Sequence, residues 1–230
     1  MYSYSTDFVL DAFTKAYETA LTNYDAAAAL KEKGLHGPAT SLAVLALEEC
    51  GKMFLLDGLL FARGGDERHQ RFTKGHRTHT TKLDTLELFP LFLHYLTTTD
   101  PRESEPRYKQ TMVIILTELK QRRQAIADLM GDDFQLSALD ALKQKGFYSH
   151  HVGTACSTNQ EGISPELADA VISLAWRVVD SLRFVLRVSL DNYKQRFVTL
   201  RSKLDEASLT AIREQAVTIL DDIFPPNEAA

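Results

Sequence analysis

The most apolar stretch of the chain covers residues 40–63, where hydrophobic side chains occur on nearly every side of a helical wheel. A helix that is apolar all round is buried inside a protein rather than lying on its surface. Three charged residues, Glu48, Glu49 and Lys52, interrupt this stretch, which argues against a membrane span. Buried charges must be paired, and helical spacing puts Lys52 within reach of either glutamate. The pattern predicts a central helix with an ion pair in its middle.

Helical periodicity continues on both sides of this stretch, and no convincing strand pattern appears. A first helix starts near Thr6 or Asp7, either of which can cap it, and ends at Gly34. The segment 36–41 is interpreted as a turn, with Thr40 or Ser41 near the start of the central helix, so the two helices form a hairpin. Further helices are predicted at about 83–96 with a kink at Pro90, 108–130, 134–145, 164–193 and 206–223.

Composition narrows the class of protein. The 230 residues carry a formal net charge of -5, so there is no global basic surface for nucleic acid, and any contact with RNA would have to be a local patch. The most basic run is residues 66–79. Cys50 and Cys156 are interpreted as free thiols, which suits a reducing cytoplasm, and we expect no signal peptide.

Two histidines and a lysine, His76, His79 and Lys82, recur every third residue and can share one helix face. Histidines at this spacing can share a metal ion if Glu48 or Glu49 supplies a third ligand. The alternatives are a polar, exposed first turn of a helix, or a cluster facing the central helix. We expect no bound metal and no cofactor.

Ribonuclease chemistry is a second hypothesis. Metal-independent RNA cleavage needs an acid or base and a cation that stabilises the phosphorane, and His and Arg suit these roles. An Arg-x(4–6)-His pattern occurs twice, as Arg63 with His69 and as Arg71 with His76. The pattern is short enough to arise by chance. Arg71 and His76 are the catalytic candidates if the protein is an enzyme.

Three blocks together carry a resemblance to a known family. They are the apolar run Ser41-Leu-Ala-Val-Leu-Ala-Leu-Glu-Glu-Cys-Gly-Lys52, then His76-x-x-His79-x-x-Lys82, and then Leu142-Lys-Gln-Lys-Gly-Phe-Tyr148. In order and spacing they resemble the AbiV family of abortive-infection proteins, over roughly residues 10–190. That family is grouped with the HEPN superfamily of all-α domains, many of which are RNases that act as dimers.

The resemblance implies an all-α, HEPN-like bundle of six to eight helices around the central helix 40–63. It forms a single domain over residues 1–230, with a core of about 6–193 and a C-terminal helix at about 206–223. The implied functional cluster is Glu48, Glu49, Lys52, His76, His79, Lys82 and Tyr148, in which Glu48 and Lys52 form the buried pair and Tyr148 closes over it.

The resemblance also implies a bacterial anti-phage defence protein that arrests growth or translation in the infected cell. Three mechanisms stay open: binding of a phage protein or the translation machinery, RNase cleavage of cellular RNA, and metal-dependent hydrolysis with His76, His79 and a glutamate. We favour the binding mechanism, and we expect a cytoplasmic homodimer with no membrane partner.

Overall fold

The first two helices form the hairpin that the periodicity predicts. In the computed structural model, which describes residues 4–59, 78–89, 105–131, 133–147, 150–152, 155–157, 163–186 and 198, α1 spans Thr6–Glu32 and α2 spans His36–Leu59. The N-cap of α1 is Ser5, whose Oγ accepts a hydrogen bond from Phe8 N at 3.1 Å, and not Thr6 or Asp7 as predicted. Gly34 has a φ of 73° and reverses the chain between the helices.

The central helix α2 begins earlier than predicted. Its first residue is His36, so the predicted turn at 36–41 is helical, and the predicted start at Thr40 or Ser41 is wrong. The cause is Pro38, which was read as a turn residue but lies in the first helical turn, where its missing N–H costs nothing. The Thr40 hydroxyl donates to His36 O at 2.9 Å, inside the helix.

The remaining elements are mostly helical, as predicted. Helix α3, His79–Thr85, is short and runs into a 3-10 turn. A second 3-10 turn leads into α5, Leu139–Phe147. A two-stranded antiparallel hairpin, which the sequence did not predict, pairs His151 with Cys156. The bounds are α3 His79–Thr85, the 3-10 turn Leu86–Leu88, α4 Pro106–Met130, the 3-10 turn Leu136–Ala138, α5 Leu139–Phe147, β1 His150–Val152, β2 Ala155–Ser157 and α6 Pro165–Leu186.

Helix α2 is the centre of the bundle. It packs against α1, α3, α5 and α6, which confirms the prediction of a buried central helix in an all-α fold. Burial of its apolar side chains removes them from water on several sides at once, and this is the main favourable term in folding. Among the largest fully buried side chains are Phe13, Leu47, Met53, Leu83, Ile126, Leu139 and Leu182.

Two glycines let neighbouring helices approach α2 closely. A Cβ on Gly51 would overlap the carbonyl oxygen of Lys82 in α3, and a Cβ on Gly146 in α5 would overlap the carbonyl oxygen of Gly37. The Ser41 hydroxyl, next to the second contact, donates to Lys143 O at 2.8 Å. These contacts hold α3 against α2 near Gly51 and α5 against α2 near Gly37 and Ser41. They explain why two of the sequence blocks contain a glycine.

Several predictions lie outside the described residues. These are the helix at 206–223, the parts of predicted helices at 60–63, 90–96 and 187–193, and the extent of the single domain. The Cys50 thiol is free and buried, as expected, and burial raises its pKa, so the thiol stays protonated. Among the described helices, none is both long enough and apolar enough to cross a membrane.

Candidate functional site

A buried carboxylate, Glu48, lies at the centre of the candidate site. Its side chain is 2% exposed and comes from the middle of α2, one residue after the core residue Leu47. Each carboxylate oxygen has its own partner: Oε2 contacts Nδ1 of His79 at 2.5 Å, and Oε1 accepts a hydrogen bond from Nζ of Lys143 at 2.5 Å. The two partners come from α3 and α5, so Glu48 joins three helices.

The predicted pairing of Lys52 with Glu48 is wrong. Lys52 bonds instead to Glu49, with Nζ 3.0 Å from Oε2, on a partly exposed side of α2. The helical spacing allowed both pairings, and the tertiary contacts decide between them. Glu48 faces α3 and α5 and binds residues far away in the chain, while Glu49 and Lys52 form a local pair at the edge of the bundle.

Lys143 supplies the positive charge that pairs with the Glu48 carboxylate. Its ammonium is 4% exposed and also lies 2.6 Å from Oδ1 of Asp140, one turn earlier in α5. Burial acts to lower the pKa of Lys143, but the hydrogen bonds and charges of Asp140 and Glu48 outweigh it and raise the pKa above its ordinary value of 10.5. A buried ammonium between two carboxylates therefore stays charged at neutral pH.

His79 connects this buried network to solvent. It is the first residue of α3, and its side chain is 53% exposed. When Nδ1 carries the proton donated to Glu48, the other ring nitrogen, Nε2, is an acceptor that can take a proton or bind a ligand. A histidine oriented by a buried carboxylate is a recurrent arrangement for acid–base chemistry.

The structure brings together only part of the predicted cluster. Glu48 and His79 are in contact, and Lys82 lies one turn after His79 in α3, with 8% of its surface exposed. No carboxylate among the described residues forms an ion pair with Lys82. Three further site predictions, Arg71, His76 and Tyr148, lie outside the described residues, as do Arg63 and His69.

Sequence reasoning missed Asp140 and Lys143 as members of the site. Lys143 stands in the third sequence block, three residues before Gly146, and Asp140 precedes it by one helical turn. The apolar residues around Lys143, at 139 and 142, were the available signal, since they place a charged residue at the edge of the buried face of α5. Its partner, however, is 95 residues away in the sequence.

One group of side chains has the ligand types of a metal site. Candidate ligand atoms of Glu48, His79 and Asp140 lie within 4.8 Å of one another. The predicted metal set was His76, His79 and a glutamate, and His76 lies outside the described residues. The Lys143 ammonium bonds both carboxylates and already supplies a positive charge there. A divalent cation bound at these atoms would have to displace the Lys143 ammonium.

A second surface feature lies on α6. Trp176 is the chain's single tryptophan and is 38% exposed, and the guanidinium carbons of Arg122 and Arg177 lie 5.3 and 5.5 Å from its ring centroid. Arg177 is paired with Glu118 at 2.6 Å and with Asp180 at 3.2 Å. The arginines are held in place around the ring, and their charges are largely neutralised.

Comparison with models of protein families identifies the family of the chain. The family model HEPN_AbiV, described as AbiV, matches residues 8–180. This span runs from the first turn of α1 to Asp180 in the second half of α6, and it contains Glu48, His79, Asp140, Lys143 and Trp176. No curated protein matches, and no solved structure matches.

Proposed function

Because the chain belongs to the AbiV family of abortive-infection proteins, we propose that it is an anti-phage effector that arrests growth or translation by binding a protein target. The target is a phage protein or a component of the translation machinery. The observation that carries this proposal is the exposed Trp176 ring between Arg122 and Arg177. Tryptophan and arginine are the residues most enriched where a few side chains supply most of the binding energy of an interface.

The surroundings of Trp176 favour a protein partner over a nucleic acid. The two arginines are already engaged with Glu118, Asp180 and Ser173, so this surface has little free positive charge for phosphates. On α4, Ile114 lies one turn before Glu118 and two turns before Arg122, and it is 48% exposed. Aromatic residues and arginine are enriched at protein interfaces, so Trp176, its two arginines and the exposed Ile114 together favour a protein partner.

The test is growth arrest after induced expression, with RNA integrity followed in the same cells. We expect Trp176→Ala to relieve the arrest while the protein accumulates and melts cooperatively as wild type does. Phe8→Ala, which removes another exposed aromatic residue, from α1, is the matched control and should arrest growth fully. Full arrest by a folded Trp176→Ala protein would reject the proposed surface.

A second candidate function, metal-independent RNA cleavage, is favoured by a different observation. His79, oriented by Glu48, can act as general acid or base through Nε2, and Lys82 on the same face of α3 would provide the cation. In this case His79→Ala abolishes RNA degradation and growth arrest together, while Trp176→Ala leaves RNA degradation in place. Arrest of growth with intact RNA would remove this candidate.

Metal-dependent hydrolysis is separated from RNA cleavage by a chelator. Purified protein incubated with RNA in excess EDTA keeps its activity if His79 and Lys82 act alone. Activity that disappears in EDTA and returns with zinc would assign the metal role to Glu48, His79 and Asp140 instead. The cytoplasmic homodimer is part of the same proposal, and sedimentation velocity of the full chain measures the oligomeric state directly.

A further inference from the structure

An apolar cavity of about 320 Å³ lies between the helices, lined by residues of α2, α4 and α6 and by the segments that follow α3 and precede α5. Leu116 and Leu119 of α4 and Leu174 and Val178 of α6 form its walls, and Leu47 of α2 contributes from the core. Its volume falls in the range of small-molecule sites, roughly 300–1,000 Å³. It is about twice as large as the ~150 Å³ apolar cavity that holds a benzene-sized ligand.

The lining decides what chemical group can enter. Leucine and valine side chains offer no hydrogen-bond partners, so water in the cavity would lose hydrogen bonds that it keeps in bulk solvent. An aliphatic chain gives up no hydrogen bonds there, and its transfer from water into the cavity is favourable. The interior therefore fits a flexible hydrocarbon tail.

The polar residues of the lining carry one net positive charge. Arg123 forms a two-pronged ion pair with Glu87, with Nε 3.0 Å from Oε2 and Nη2 3.0 Å from Oε1. Glu87 Oε1 also accepts a hydrogen bond from Leu136 N at 3.3 Å, so this pair is held in place and neutral. Lys120 is exposed and forms no ion pair within the described part of the chain, which leaves its ammonium available.

We propose that this cavity binds a medium-chain aliphatic carboxylate, with the tail between α4 and α6 and the carboxylate on Lys120. The volume and lining of the cavity select the tail, and the Lys120 ammonium, which pairs with no carboxylate among the described residues, selects the sign of the head group. The site is separate from the Trp176 surface and from the Glu48 network, although Leu47 and Glu48 are adjacent in α2. The inference does not depend on the proposed target binding.

Decanoate is the probe, titrated into the full-length protein below its micelle-forming concentration and followed by calorimetry. We expect saturable binding of one decanoate per chain and a rise in melting temperature, because a ligand of the folded state stabilises that state. Decyltrimethylammonium has the same tail and the opposite charge, and it should bind at least tenfold more weakly. Trp176, two residues from Leu174, gives a fluorescence signal for the same titration.

Two variants test the head and the tail separately. Lys120→Glu changes only an exposed side chain, and it should weaken decanoate binding about tenfold, because an attraction becomes a repulsion. Leu116→Phe adds volume at a half-buried wall position and should abolish binding of both probes while the fold is kept. If Leu116→Phe does not fold, Lys120→Glu still decides the head-group assignment.

Three results would overturn the proposal. The first is no saturable binding of decanoate, or binding of many molecules per chain, as expected for adsorption to exposed apolar surface. The second is equal affinity for decanoate and decyltrimethylammonium, which would remove the role of Lys120. The third is unchanged decanoate affinity in Lys120→Glu.

Discussion

Glu48 shows how a single buried residue can organise a site. Each of its two oxygens has a hydrogen-bond partner, and these partners come from two other helices, α3 and α5. A charge removed from water needs such compensation, since an unpaired buried ion costs several kcal/mol, roughly. The network satisfies Glu48 and at the same time holds the His79 imidazole at the protein surface in one orientation.

Removal of Lys143 should destabilise the protein strongly. In Lys143→Met the buried Glu48 carboxylate loses its ammonium partner, and we expect the free energy of unfolding at pH 7 to fall by about 3–5 kcal/mol. Urea denaturation followed by circular dichroism measures this. Lys15→Met, which removes an exposed ion pair with Asp11, is the control and should cost less than about 1 kcal/mol. The double variant Glu48→Gln, Lys143→Met should recover part of the loss.

The same residue makes stability depend on pH in the alkaline range. The pKa of Lys143 is higher in the folded protein than its ordinary value of 10.5. The ammonium therefore contributes its full stabilisation below about pH 10.5 and loses it as the pH rises through the folded-state pKa. The difference in stability between wild type and Lys143→Met should shrink as the pH is raised above 10.5, and a difference that stays constant there would contradict the assignment.

At the residue scale, the sequence predicted the right carboxylate and the wrong partner. Glu48 was identified because a charge in an apolar helix needs compensation. Lys52 is the partner that the sequence predicts, because a sequence shows how far apart two residues are along a helix but not which helices are in contact. The apolar residues at 139 and 142 place Lys143 at the buried face of α5, but they do not show that its partner is Glu48, because that contact is non-local. Asp140 contacts Lys143 one helical turn away, and its role depends on the same non-local contact. His79 belongs to the predicted functional cluster because its spacing places it on one helix face with Lys82.

At the scale of elements, the site depends on how closely α3 and α5 approach α2. Gly51 lies three residues after Glu48, and Gly146 lies three residues after Lys143. Each glycine faces a backbone carbonyl of the neighbouring helix at a distance that leaves no room for a Cβ. Because α3 and α5 lie so close to α2, the Glu48 side chain reaches His79 on α3 and Lys143 on α5.

Gly146→Ala should therefore be destabilising, although alanine usually favours a helix by about 1 kcal/mol over glycine. The added methyl group would overlap Gly37 O and the Ser41 hydroxyl, and α5 would have to move away from α2. We expect the free energy of unfolding to fall by about 1–3 kcal/mol, as in other overpacked contacts, measured by thermal or urea denaturation. Gln144→Ala, at an exposed position of α5, is the control and should change little. A more stable Gly146→Ala protein would show that the helices are not in contact there.

Periodicity predicted the helices well where they are long and amphipathic. Helices α1, α4 and α6 begin within two residues of the predicted positions, and the Ser164 cap of α6 is confirmed by its hydrogen bond from Leu167 N. The predicted start of α2 is wrong because proline is common both in turns and in the first turn of a helix, and Pro38 lies in the first turn of α2. The β1–β2 hairpin was missed because strands of three residues are too short to show an alternating pattern.

At the scale of the whole molecule, the net charge of -5 favours the binding of a protein target over the cleavage of RNA. An acidic protein that acts by binding a protein target has no need to hold RNA, whereas an RNase must keep its substrate at the site. The basic run at 66–79 would be the local patch in the second case, since it holds Arg68, Arg71, Lys74 and Arg77. Contacts to phosphates release counterions, so binding through this run would weaken steeply as salt increases.

We expect the wild-type protein to bind a fluorescein-labelled 20-nucleotide RNA only weakly, with a Kd above roughly 10 μM at 150 mM salt, as is common for non-specific contacts. Fluorescence anisotropy at 50, 100 and 200 mM salt measures both the affinity and its salt dependence. A variant with Arg71 and Lys74 replaced by glutamine is the matched control, and it should behave like wild type. Tight binding that falls steeply with salt and is lost in the control variant would contradict target binding as the sole activity. It would assign RNA binding to the run 66–79, which ends at His79 in the sequence, and make the Glu48-oriented imidazole the group to test for cleavage.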